Sequence, residues 1–325
     1  GVKRQMTASL RIAIVAYEQV LPSALYGLGE VFAAAERFRE RGDCASDETV
    51  RPLEWRYLLA GQEGQPFSLP CWQPDDDIDV VILPPCSAGQ IPHCPDWLAA
   101  WLHQQHQHGA VLASACVGAC VLAQSGLLDG RIVTTHWLLE ETFHQQFPNV
   151  RLNLDAVVIE ETDLITAGGI MAWLDLAMRI VRRYYGATLV AQLSKYLLWD
   201  SGEREQRYYR RFQPPKQHGD SAILKLQQWL EMHFQTTCPL SQLAGQAAMS
   251  PRTLQRRFLA ATQLTISSYV QHLRLEKARE LLETTALPVE QIIWQIGYDD
   301  RASFNKLFKT QIGLSPKAYR QRFGG

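Results

Sequence analysis

Nowhere in its 325 residues does the chain run apolar long enough to cross a bilayer, since no stretch of about eighteen uncharged apolar residues occurs. The amino-terminus also lacks the charged region followed by an apolar core that marks a secretory signal. These absences predict a cytoplasmic protein with no membrane partner. Cysteine is sparse: seven residues, an odd number without repeating spacing, which excludes a disulfide scaffold and leaves reduced thiols as the expectation. Net charge is nearly absent at −1, but the balance is uneven. From Gly219 onward there are 13 Lys and Arg against 8 Asp and Glu, whereas the remainder holds 19 against 25. A basic carboxy-terminal third in a neutral chain points to nucleic acid. The length suits two domains, each with its own core.

What is present in that basic third is a pattern that occurs twice. The first copy runs Pro239-Leu240-Ser241-Gln242-Leu243-Ala244, then Met249-Ser250-Pro251-Arg252-Thr253-Leu254-Gln255-Arg256-Arg257-Phe258, with Tyr269 eleven residues after Phe258. The second runs Pro288-Val289-Glu290-Gln291-Ile292-Ile293, turns at Gly297-Tyr298-Asp299-Asp300, and continues from Arg301 to Phe308, with Tyr319 again eleven residues later. Each copy reads as helix, tight turn, helix, the geometry that places one helix in the DNA major groove. Leu254 and Phe258 stand four apart and face inward, leaving Arg252, Gln255 and Arg256 outside. Phe304 and Phe308 do the same in the second copy, leaving Arg301, Asn305, Lys306 and Lys309 outside. Arg can bond guanine O6 and N7, and Gln or Asn can bond adenine N6 and N7. The expected DNA-contacting set is Arg252, Thr253, Gln255, Arg256, Arg301, Ser303, Asn305 and Lys306, with Asn305 the adenine reader of the second copy. Apolar spacing over residues 267–283 predicts one rigid helix between the copies.

The other half opens with an apolar strand from Leu10 to Ala16, a helical stretch over 27–39, a second strand from Asp79 to Leu83, and a third from Ala110 that runs straight into Ser114-Ala115-Cys116-Val117-Gly118-Ala119. Such alternation predicts an α/β domain with a mostly parallel sheet and helices on both faces, followed by an all-α domain with two helix-turn-helix units joined by a long helix. Cys116 falls on a strand-to-helix corner, where a side chain is exposed and helix amides point towards it. His136, in Thr134-Thr135-His136-Trp137 after the short strand 131–133, is its candidate base. The glycines of Ala167-Gly168-Gly169 permit close backbone approach at a strand end. Cys120, one turn after Cys116, reads as a small buried hydrophobe. Cys86, His93, Cys94, His103, His106 and His108 match no compact ligand spacing, so neither a metal nor a cofactor is expected. A helix is expected over 189–199, and the polar, basic stretch 200–219 reads as a linker between domains 1–199 and 220–325.

Residues 220–323 resemble the DNA-binding domain of the AraC/XylS regulators, on the segment from Ser250 to Phe258 and on Gly313-Leu314-Ser315-Pro316-Lys317-Ala318-Tyr319-Arg320. One departure is Gln263, which stands where the other copy has Gly313, at a position after a helix where a left-handed backbone favours glycine. Residues 8–190 resemble the ThiJ/PfpI superfamily, the class I glutamine-amidotransferase-like fold. The carrying segments are 114–119, Gly126-Leu127-Leu128-Asp129-Gly130, Thr134-Thr135-His136-Trp137, and Ile165-Thr166-Ala167-Gly168-Gly169 leading to Leu174-Asp175-Leu176. This version looks like the one found ahead of AraC-type domains. In enzymatic relatives a carboxylate after the first strand approaches the cysteine, and Glu18 is the nearest match. The resemblance implies a sensor rather than a catalyst, with Cys116, Val117, His136, Gly168 and Gly169 around a small-molecule effector, and Cys116, His136 and Glu18 as a vestigial elbow. It also implies promoter DNA as partner, a second copy of the chain, contact with RNA polymerase, and activation rather than repression. The other readings are a cysteine hydrolase or amidase using Cys116 and His136, and a thiol redox sensor.

Overall fold

The computed structural model describes residues 9–42, 50–61, 69–87, 90–200, 202 and 204–325. The chain divides into two compact units between Gln206 and Arg207.

The first unit is built on β1 (Leu10–Tyr17), β2 (Leu53–Ala60), β3 (Val80–Leu83), β4 (Val111–Ala115), β5 (Ile132–Val133), β6 (Arg151–Leu152), β7 (Val158–Glu160) and β8 (Leu164–Ala167). Six of these form one sheet in the order β2-β1-β3-β4-β8-β7. All neighbours pair in parallel except β7, which runs antiparallel along β8. β5 and β6 form a separate parallel pair. β3, β4 and β8 are buried at every residue, Ser114 and Thr166 included, as their largely apolar sequences demand of strands covered on both faces. Helices α1 (Pro22–Glu40), α2 (Asp96–Gln107), α3 (Gly118–Gln124), α4 (Glu140–Gln146) and α5 (Trp173–Leu197) complete the unit. α1 packs on α5, α2 packs on α3, and all four contribute to the same core. The stretch 189–199 is helical as far as Leu197. Most of it is the last part of α5, which is broken at Gly186 (φ 84°, ψ 176°) and ends before Leu198 in a left-handed conformation. β2 has no clear signature in the sequence. It is an edge strand whose Glu54 and Arg56 lie on a partly solvated face, so its apolar pattern is interrupted.

The second unit consists of α6 (Ser221–His233), α7 (Leu240–Gln246), α8 (Pro251–Thr262), α9 (Ile266–Thr284), α10 (Val289–Gln295), α11 (Arg301–Ile312) and α12 (Pro316–Phe323). Short side chains cap the helices that must start abruptly after turns. Asp220, Ser250, Thr265, Asp300 and Ser315 each accept a hydrogen bond from a backbone N–H two or three residues on. Two cores result. One gathers Leu243, Leu254, Phe258 and Tyr269 with α6, and the other gathers Ile292, Phe304, Phe308 and Tyr319. α9 spans both, giving Tyr269 to the first and Leu275, Ala278 and Leu282 to the second. Its 19 residues make a rod of about 28 Å.

Gln263 caps α8 with φ 58°, and Gly313 caps α11 with φ 91°. The two caps differ in their surroundings. A Cβ at Gly313 would lie 2.6 Å from both Arg207 Nε and Tyr208 Cε1, so only glycine fits there. Gln263→Gly is therefore expected to raise the stability of the second unit by ~1 kcal/mol, because it relieves a left-handed side chain. Urea unfolding checks this, and a loss of stability would show that the side chain contributes more than the backbone strain costs.

The segment 200–219 is not a free linker. Up to Gln206 it belongs to the first unit, where Glu205 bridges Ala156 and Arg204 pairs with Asp175. From Arg207 it belongs to the second, held by Arg279 of α9. That guanidinium, 1% exposed, donates to the carbonyls of Tyr208 (2.9 Å) and Arg210 and to the Tyr319 hydroxyl (3.0 Å).

Candidate effector site and DNA-recognition surface

The elbow forms because β4 runs into α3 with no room for a loop. Cys116 takes the turn with φ 52°, a conformation that costs a non-glycine residue free energy and is typical of functional corners. Its N–H donates to Ala167 O (2.9 Å), which fixes the corner beside the end of β8. The Thr135 hydroxyl donates to Cys116 O (2.7 Å), which brings the segment carrying His136 to the same place. Gly168 closes the group: a Cβ there would lie 2.9 Å from Thr135 O. Gly169 follows with φ 79°. Backbone contacts thus bring Cys116, Thr135, Ala167 and Gly168 together at one corner, although they are far apart in sequence.

Burial works against an activated thiolate at this corner. Burial pushes the Cys116 thiol up from an ordinary value of 9.0 to about 11, opposed only by the hydrogen bond from the Val117 amide. His136 supplies no counterweight. Its Nδ1 accepts from Leu138 N (3.1 Å), its ring stacks on Trp137, and burial lowers its pKa, so it is a neutral imidazole. Among the described hydrogen bonds none joins it to the thiol. Glu18 is exposed in the turn after β1 and does not figure among the groups acting on Cys116. The residue of β1 that reaches the thiols is Tyr17, one position earlier. It is 3% exposed, its hydroxyl donates to Pro84 O, and it neighbours Cys86, Cys116 and Cys120. Tyr17 is the last residue of β1, and Glu18 already belongs to the turn that follows.

Three further side chains of this region carry no sequence signal. Trp173, 8% exposed at the start of α5, has no hydrogen-bond partner for its indole N–H, and neither does the buried Ser114 hydroxyl at the end of β4. Gln206 is 4% exposed and bonded into the 134–137 segment. Among the described residues no group of three or more His, Cys, Asp or Glu is placed to hold a metal ion. His106 bonds Asp163 (2.8 Å) and His103 bonds Ser125 O (2.7 Å) instead.

On the recognition helices the outward faces follow from what is buried. α8 turns Leu254, Phe258 and Thr262 inward and exposes Arg252, Gln255 and Arg256. Leu259, 48% exposed, continues that face three residues after Arg256; its place seven residues after Arg252 is the signal in the sequence that could have found it. Thr253 is half-buried and accepts from the capping Ser250 hydroxyl (2.9 Å). α11 exposes Arg301, Ser303, Lys306 and Lys309. Asn305 departs from expectation. It is half-buried, and its Oδ1 is shut off from solvent without a partner. Three residues before Phe308, it sits about 60° from an inward position and so at the margin of the buried stripe. Arg301 pairs with Glu290 of α10, the preceding helix of its own repeat. No described helix is long and apolar enough to cross a membrane.

Known proteins share both parts. Residues 243–322 match a helix-turn-helix domain family, and residues 68–183 match the DJ-1/PfpI family. Among curated relatives, the HTH-type transcriptional regulator CdhR of Pseudomonas aeruginosa is 30% identical over 69% of this chain and 66% of its own. ArgR of the same species is 30% identical over 69% of this chain and 68% of its own, and GbdR 28% identical over 68% and 60%. The chain thus spans just under two thirds of CdhR and 60% of GbdR. The match to ArgR covers more than two thirds of both proteins. The chain belongs to the AraC-type helix-turn-helix transcriptional regulators that carry a DJ-1/PfpI domain ahead of the DNA-binding repeat.

Proposed function

We propose that this chain activates transcription by binding promoter DNA through α8 and α11, under control of a small effector held at the Cys116 elbow. The observation that carries the reading is the repeated helix-turn-helix itself, two units on one rigid α9, each with an exposed basic face. Two chains together would occupy a two-half-site operator, with RNA polymerase as the further partner. The effector is recognised by Cys116, Val117, His136, Gly168 and Gly169. The unpartnered hydroxyl of Ser114, two residues before Cys116, supports a polar ligand there, since buried polar groups ordinarily have partners.

The test is capture of genomic fragments on the purified chain with and without a metabolite extract. A few promoters should be enriched, with paired motifs roughly one helical turn, about 34 Å, apart. No enrichment in either arm would overturn the reading. On an enriched site, Arg256→Ala is expected to cost ~1–3 kcal/mol, with a much smaller loss on random DNA, if the guanidinium reads a base. Equal losses on both would make it a phosphate contact.

The elbow is proposed to bind rather than to turn over substrate. Iodoacetamide labelling of Cys116 in the folded chain should therefore be slow at neutral pH and rise along a titration centred near pH 11. A midpoint below pH 8 would restore a nucleophilic cysteine. The sign for stability follows from the same shift. The folded thiol holds its proton to higher pH than the unfolded one, so its contribution is lost as pH rises from 9.0 towards 11.

A further inference from the structure

Resting on the effector-controlled reading above, we infer that Gln206 is the residue that couples the elbow site to the DNA-binding unit, as a latch between the 134–137 segment and the chain entering that unit. Gln206 is the last residue of the first unit. Its carboxamide is used at both ends. The oxygen accepts from Trp137 N (2.7 Å), and the nitrogen donates to Thr134 Oγ1 (3.1 Å) and Ala156 O (3.2 Å). Its own N–H donates to Asp155 O (2.7 Å).

These partners are not a random part of the unit. Thr134 and Trp137 flank Thr135, which grips the Cys116 carbonyl, and His136 of the elbow group. Gly168 is part of the same fit: a Cβ there would lie 2.2 Å from the Gln206 amide nitrogen, so the absence of a side chain at Gly168 makes the space that Gln206 fills. The Gly168 backbone is not left-handed, so close approach alone requires glycine. A ligand that draws the 134–137 segment or the Gly168 turn towards Cys116 must strain or break the carboxamide bonds.

The consequence reaches the DNA-binding unit through the chain itself. Two residues later, the Tyr208 carbonyl is tied to the buried Arg279 of α9. Arg207 alone stands in the chain between Gln206, bonded within the first unit, and Tyr208, bonded within the second, so a change at Gln206 falls on the chain that enters the DNA-binding unit. Differential binding to the latched and released states is what effector control requires.

The test uses the full-length chain with Gln206→Met, which keeps volume and removes every carboxamide bond, and Gln206→Glu, which keeps the acceptor for Trp137 N. Gly168→Ala expels the same amide from the opposite side. Amide exchange is followed at residues 134–137 and 204–208. With Gln206→Met and Gly168→Ala, exchange at Trp137 and Gln206 should quicken on the order of tenfold to a hundredfold. Gln206→Glu should restore slow exchange at Trp137. A reporter on a captured promoter should lose its response to metabolite extract in Gln206→Met, while that protein still retains the promoter fragment. Exchange that rises at Trp137 and leaves 204–208 unchanged overturns the latch, as does a wild-type metabolite response in Gln206→Met. Failure of the wild-type chain to capture any promoter would instead remove the regulatory reading, and the exchange data would still decide the latch.

Discussion

Arg279→Ala is expected to destabilise the DNA-binding unit by about 3–5 kcal/mol, the range for leaving a buried ionic network without one member. The guanidinium is 1% exposed and lies 5.2 Å from the centre of the Tyr319 ring as well as bonding its hydroxyl. Removing it takes away the donor to the Tyr208 and Arg210 carbonyls and leaves Glu276 with Arg211 as its remaining cation among the described residues. It also opens a cavity between α9 and α12 in the second core. Arg279→Lys is the informative companion. It keeps the charge but can reach only part of the fork, so it should recover a minority of the loss. Urea unfolding of the full chain, read by far-ultraviolet dichroism, checks both. A loss below about 1 kcal/mol for the alanine variant would mean that the 208–210 carbonyls find water or other donors, and that the segment is not fastened as described.

The first unit has its own point of failure at Gly118, where alanine is expected to cost more than about 3 kcal/mol. A Cβ at that position would stand 2.0 Å from Leu83 O and 3.1 Å from Pro84 O. Both are backbone atoms at the end of β3, a strand paired on both sides, and neither can withdraw without tearing the sheet. The close approach has a purpose: it lets α3 start directly beside β3, which forces the left-handed turn at Cys116. Gly126→Ala separates this effect from backbone strain. Gly126 has φ 80°, and a Cβ there would meet nothing within 4 Å, so alanine should cost only ~1 kcal/mol. Thermal unfolding of both variants decides. Equal shifts would show that the helix can move away from β3, and that the elbow is not compelled by this contact.

Much of this architecture is legible in the residues themselves. The apolar run at 10–16 and the Asp79 to Leu83 segment are strands because such sequences need cover on both faces. The doubled pattern from Pro239 and from Pro288 is a pair of helix-turn-helix units because Leu254, Phe258, Phe304 and Phe308 recur at one inward face. Gln263 is left-handed, as its place in the repeat implies. The departures have physical causes. Position after β1 points to Glu18 as the elbow's neighbour, and the burial of Tyr17, the last residue of β1, puts a phenol beside the thiols as well. Exclusion from the phenylalanine stripe points to a solvated Asn305, but it lies at the margin of that stripe. Polarity points to a linker over 200–219, yet polarity says nothing of whether polar groups are spent on water or on buried partners.

Sequence alone therefore determined the classes of the two domains, the order in which they occur, the helices that present basic faces, and the corner where a cysteine meets a helix. Those features depend on periodicity and on local turn chemistry, which a few neighbouring residues suffice to specify. Only the tertiary structure decided that the elbow thiol is buried and its pKa raised, that Tyr17 stands beside it, that Arg279 is buried, and that Gln206 lies against Gly168. Each of these depends on groups brought together from distant parts of the chain. A polar residue in solvent and one sealed in a hydrogen-bonded niche are written with the same letter, and burial in the folded protein alone separates them.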